Sequence, residues 1–128
     1  MGLAGLDVAT MLGIALFGGL GALTRFGAQK LWPTTSLRIP MGVLGVNVAG
    51  SLIAGLVAGL VGNENHVLSS LLIVGFCGGL TTFSTFVVES VQLAKARALP
   101  AAVLNVLLTS ILGVGAAVLG LILGTAFA

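Results

Sequence analysis

Four long apolar runs, separated by short polar segments, dominate the chain and restrict what it can become. They cover about residues 8–30, 40–62, 67–94 and 100–126. A membrane-spanning helix takes roughly 20 predominantly apolar residues, so each run is long enough to cross a bilayer with some tilt. Lipid offers no partner to backbone N–H and C=O groups, and an open chain must therefore satisfy them within helices. Composition closes the alternative of a water-soluble globule: 58% of the residues are hydrophobic and only 6% are charged, against about 25% charged in ordinary soluble domains. The sequence predicts an all-α integral membrane protein, one four-helix domain over residues 1–128, lying as a multi-pass protein in the cell membrane.

The same inventory excludes several functions. Five basic residues against three acidic ones give a net charge of +2. That excess forms no clustered basic face of the kind nucleic acid requires. A single cysteine, Cys77, and a single histidine, His66, leave no internal disulfide and no Cys- or His-rich metal centre. The N-terminus lacks the basic, apolar and small-residue succession of a cleaved signal, so the first run is expected to be a retained span.

The segments between the runs are punctuated by turn residues. Pro33, Thr34, Thr35, Ser36 and Arg38 make the first loop, and Pro40 suits the opening of the second helix. Gly62, Asn63, Glu64, Asn65 and His66 make the second loop, while Pro100 opens the fourth run. Within the runs, Gly55/Gly59, Gly75/Gly79 and Gly120/Gly124 form small-xxx-small pairs that allow helix backbones to touch.

One stretch departs from simple helix packing: Gly75-Phe76-Cys77-Gly78-Gly79-Leu80-Thr81-Thr82-Phe83-Ser84-Thr85-Phe86, in the middle of the third run. Two glycines followed by two threonines lower helix stability by about 2 kcal/mol. A break there frees backbone groups that are tolerated only when buried in protein or lining a cavity. Discontinuous helices present such groups to ions; a glycine-softened kink without a ligand is the plainer reading of the same residues. Polar side chains also recur at helical spacing. Asn47 and Ser51 share a face of the second run, and Asn105 and Thr109 share one on the fourth, with Ser110 beside them. On the third, Phe83, Phe86 and Ser90 share a face next to a stripe of Thr82, Thr85 and Glu89. Interhelical hydrogen bonding explains any one of these; polar groups on three helices together suit a lined passage. Glu89 stands toward the end of its run, where it either reaches water or belongs to that passage.

The run GFCGGLTTFSTF followed by Val87-Val88-Glu89, together with Arg25 and the Gly42…Asn47…Gly50 segment, resembles the signature of the Fluc (CrcB-type) fluoride channels over the whole chain. The resemblance implies an antiparallel, dual-topology dimer with the third helix broken at its centre and two fluoride pores along the subunit interface. It implies a structural sodium ion held by the backbone carbonyls of Gly78 and Thr81. It assigns the fluoride path to Phe83, Phe86, Asn47 and Ser110, with Thr82, Ser84 and Thr85 as nearby hydroxyls, and the pore entrances to Arg25 and Glu89. The residues themselves are chemically consistent with this: edge-on phenyl rings offer an anion weak positive sites, and a pore must replace water without holding the ion tightly. On this reading no full positive charge is expected at midspan. Two positions depart from the pattern, Val43 and Val114, and each is expected to remove one hydroxyl from the polar track.

Rival readings are a small multidrug-type transporter and a membrane assembly subunit without transport. The first needs a carboxylate deep in the first run, which contains none; Asp7 precedes it. The second leaves the TFSTF run unexplained. An enzyme would need a nucleophile with a base, and His66 stands in a loop. Finally, Arg25, Lys30, Arg38, Lys95 and Arg97 all fall on the side reached after the first and third runs, whereas Asp7, Glu64 and His66 fall opposite. Because Lys and Arg favour the cytoplasmic side, both termini are expected to face outward. The partner in the dimer is then either a second copy or a related chain of opposite charge bias.

Overall fold

The computed structural model describes residues 7–32 and 39–128. The loop residues Pro33, Thr34, Thr35, Ser36 and Arg38 lie outside the described residues. Among the described residues four helical spans are long and apolar enough to cross a membrane: Val8–Leu31, Met41–Val61, His66–Lys95 and Leu99–Phe127. The first two are α1 (Val8–Leu31) and α2 (Met41–Val61). The third is divided into α3 (residues 66–80) and α4 (Phe83–Lys95), and the fourth is α5 (Leu99–Phe127).

The helix ends follow local chemistry. Asp7 caps α1 by accepting the Thr10 N–H at 2.8 Å. Hydrogen bonding from Thr10, by its side chain first and then its backbone, holds the Asp7 carboxyl below the ordinary carboxylate range. Pro40 is the N-cap of α2, one residue earlier than a first-turn proline, and its ring is fully buried. Gly62 ends α2 at φ 56°, a conformation open to glycine without strain. Asn65 caps α3 through the Leu68 N–H at 3.0 Å. At the end of α4 the Ala98 N–H bonds the Leu93 carbonyl and the Arg97 N–H bonds the Ala94 carbonyl. This is a Schellman ending with Arg97 in the left-handed position at φ 59°.

Glycine sets the packing. A Cβ on Gly55 would meet the Ala117 carbonyl, one on Gly120 the Leu52 carbonyl, and one on Gly59 would lie 2.6 Å from the Leu121 carbonyl oxygen. The seam between α2 and α5 is thus a backbone contact, and it is the most extensive in the subunit. A second seam joins α1 to α3. There a Cβ on Gly79 would meet the Gly18 carbonyl and one on Gly21 the Phe76 carbonyl. Contacts on both seams advance in the same chain direction, so each seam joins two parallel helices. The outer faces of α5 stay apolar and exposed, as a lipid-facing helix requires.

The third span holds two features. Ser70–Cys77 forms a π-helix whose wider turns tuck Ser70, Gly75 and Cys77 inside the bundle; the sequence pattern gave no sign of it. Gly78 and Gly79 remain helical, and the break comes after them. Thr81 (φ −83°, ψ 156°) and Thr82 (φ −147°, ψ 122°) are extended, a geometry that β-branched residues adopt readily.

Candidate functional site

The break interrupts the hydrogen-bond ladder, and side chains from two other helices repair it. In a continuous helix the Thr82 N–H would bond the Gly78 carbonyl; here it bonds Asn47 Oδ1 at 2.8 Å. The Asn47 amide returns the interaction, donating through Nδ2 to the Thr82 carbonyl at 3.1 Å. Asn47 thus pairs with both polar groups of one peptide residue, much as a neighbouring strand would, and one Nδ2 hydrogen is left over. The Thr85 N–H, which a continuous helix would give to Thr81, instead bonds Thr82 Oγ1 at 3.1 Å, so Thr82 is the N-cap of α4. The same hydroxyl donates to Thr85 Oγ1 at 3.0 Å and lies 3.4 Å from Ser84 Oγ. The freed Thr81 carbonyl has Arg25 Nη1 at 3.4 Å.

Beside the break is a pocket of about 340 Å³. Asn47, Ser51, Thr81 and Thr82 form one wall, Phe83 and Phe86 another, and Thr109, Ser110 and Gly113 of α5 the third. Among the described residues no charged side chain lines it. The two rings stand 6.0 Å apart between centroids and are tilted by 49°, a spacing typical of interacting aromatic pairs. The pocket is open on one side: Phe83 is 77% exposed, and Ser110 is exposed as well. By helix polarity, α3 ends at the break with its negative pole and α4 begins there with its positive pole.

The structure therefore brings Asn47, Thr81, Thr82, Phe83, Phe86 and Ser110 together at one pocket. Thr85 and Ser84 are linked to its wall through the Thr82 hydroxyl, and Gly78 is exposed and outside the lining. Glu89 is further along α4, half-buried and outside the pocket lining. One expectation changes. The Arg25 guanidinium reaches the Thr81 carbonyl at the centre of the third span, so a full positive charge does stand at midspan, outside the pocket lining. Val43 is 2% exposed and belongs to the core, while Val114 is 67% exposed and turned outward. Neither lines this pocket.

Ser51, Thr109 and Gly113 also line the pocket. The four-residue spacings Asn47/Ser51 and Asn105/Thr109 carried that signal for the two hydroxyl residues. Ser51 donates to the Asn47 carbonyl at 2.8 Å, whereas Thr109 Oγ1 is buried without a hydrogen-bond partner among the described residues. Asn105, 1% exposed, ties α5 to α4: its Nδ2 donates to Ser90 Oγ at 2.9 Å, and Ser90 donates to the Phe86 carbonyl at 2.8 Å.

Fold and site together define a multi-pass membrane protein with a discontinuous third span beside an uncharged, polar and aromatic pocket. Comparison with known proteins narrows this. Residues 12–121 match the family described as CrcB-like protein, Camphor Resistance (CrcB). The chain is 41% identical to the fluoride-specific ion channel FluC 2 of Cutibacterium acnes over 91% of its own length and 98% of that protein. It is 43% identical to FluC 2 of Rhodococcus jostii, over 87% of the chain and 95% of the relative. It is 35% identical to FluC of Paracoccus denitrificans, over 90% and 94%. The chain belongs to the CrcB family, a family of channels rather than enzymes.

Proposed function

We propose that this protein is a fluoride-selective channel that lets fluoride leave the cell passively, lowering its cytoplasmic concentration. The pocket carries the reading: Asn47, with one Nδ2 hydrogen to spare, and the Ser110 hydroxyl line the same space as the tilted pair Phe83 and Phe86, and no charged residue is among its described lining. Fluoride is small and strongly hydrated, so neutral donors and positive ring edges replace its water without trapping it. Thr109 lines the pocket as well, its hydroxyl buried and without a hydrogen-bond partner among the described residues. The names of the relatives supply the identity of the ion.

The open side of the pocket supports a dimer in which a second chain completes each pathway, packed antiparallel in dual topology. The family resemblance also implies a structural sodium ion, and the donor set suits such a hard cation. The Gly78 carbonyl has lost its helical partner to Asn47, and the Thr81 carbonyl lies outside the ladder. Gly78 and Thr81 would hold the ion, which would supply a fixed positive charge drawing two breaks together. The partner chain is a second copy or a paralogue of opposite orientation. Lys30, Lys95 and Arg97 mark the same end of the parallel first and third spans, which favours a fixed orientation. A C-terminal topology reporter in cells expressing this chain alone decides: equal inside and outside signals require the homodimer, and an outside signal alone requires the paralogue.

The primary test is efflux from liposomes of purified protein, read with a fluoride electrode. Release of fluoride without chloride is the expected result. Retention by every vesicle, with and without a paralogue, rejects the channel, whereas equal release of both ions rejects selectivity.

A further inference from the structure

The position of Arg25 carries a consequence for the central cation. An arginine inside a membrane span is costly and is kept where a defined partner compensates it. Arg25 lies two turns before the end of α1, half-buried, and among the described residues its guanidinium has the Thr81 carbonyl as a partner at 3.4 Å. That carbonyl is available because the Thr85 N–H is taken by Thr82 Oγ1. The rest of the break is held independently: Asn47 occupies both polar groups of Thr82, and a Cβ on Gly50 would collide with the Thr81 methyl group, so α2 leaves room for this residue and no more. The peptide cannot easily turn its carbonyl elsewhere.

We propose that Arg25 competes with the structural cation for the Thr81 carbonyl and thereby sets how tightly that cation is held. The inference rests on the sodium reading given above. A carbonyl oxygen has two lone pairs, so a guanidinium and a metal ion can both approach it, but two like charges sharing one oxygen repel each other in a medium of low dielectric constant. Arg25 is thus a positioning residue: it keeps the break polarised and satisfied in the lone subunit, and it yields when a cation arrives. Asn47, being neutral, exerts no such charge repulsion on the cation.

The test is thermal unfolding of the purified protein in detergent across a sodium titration, with N-methylglucamine as the replacement cation. Arg25→Gln keeps a donor but removes the charge, and its half-stabilising sodium concentration is expected to fall about tenfold or more, as removal of a nearby like charge requires. Arg25→Lys keeps the charge and is expected to stay within about threefold of the wild type. An unchanged sodium midpoint in Arg25→Gln overturns the proposal and leaves the sodium reading intact. A sodium response that appears only in Arg25→Gln overturns the sodium reading for the wild type and supports the competition. No response in any variant overturns both. If Arg25→Gln does not fold, wild-type structures in sodium and in N-methylglucamine replace it. The separation of Arg25 Nη1 from the Thr81 oxygen is expected to lengthen in sodium, and an unchanged separation overturns the proposal.

Discussion

The two seams that hold the subunit together use one device, glycine set against a neighbouring carbonyl, yet they end differently. Along α2 and α5 the contact from Gly55 to Gly124 joins two uninterrupted helices. Along α1 and α3 the contact through Gly18, Gly21 and Gly79 stops at Thr81, where the helix opens. Close packing by glycine is therefore not a mark of a site. The difference lies just past the glycines, where Thr82 caps a new helix and Asn47 and Arg25 take over the abandoned backbone groups. One seam needs no side-chain repair; the other ends at a break that draws repair from α1 itself and from α2.

The sharpest way to break that contrast is Asn47→Leu. It fills the same space but strands the Thr82 N–H and carbonyl, costing about 2–5 kcal/mol for two buried groups. A lower unfolding temperature and loss of fluoride efflux are expected together; wild-type efflux would show that the break needs no repair. Next is the aromatic pair. Phe83→Ile or Phe86→Ile keeps the apolar volume but removes the positive ring edges. Fluoride efflux is expected to drop about tenfold with the elution volume of the assembled protein unchanged, and normal efflux would reduce the rings to packing.

The seams are then compared directly. Gly79→Ala and Gly120→Ala each push a methyl group at a carbonyl, and each is expected to cost about 1–3 kcal/mol by overpacking. Efflux per folded protein should fall for Gly79→Ala, whose seam leads to the break, and hold for Gly120→Ala. Equal loss in both would erase the distinction. The smallest effect belongs to Arg97→Gly at the end of α4. It removes a left-handed arginine and should raise stability by about 1 kcal/mol, read as a higher unfolding temperature with efflux unchanged.

The sequence made the fold class and the neighbourhood of the site legible because both rest on local patterns. Apolar length defines a span wherever it occurs, and GGLTT weakens a helix whatever surrounds it. Even there the exact break point escaped, since the glycines stay helical once α1 packs against them and the threonines carry the change of direction. The π-helix of Ser70–Cys77 left no signature, because its residues are apolar and suit an ordinary helix equally well.

By itself, then, the sequence determined a four-span membrane protein, glycine-packed, with a discontinuity beside TFSTF and polar residues at matched spacing on three helices. Only the tertiary structure decided what those residues do to one another. Asn47 meets Thr82 across 35 positions of chain and Arg25 meets Thr81 across 56, and no local pattern encodes such distances. It also turned Val43 into the core and Val114 outward, because helix rotation is fixed by which glycines find which carbonyls. Spacing places residues on a face; packing between helices chooses the direction in which that face points.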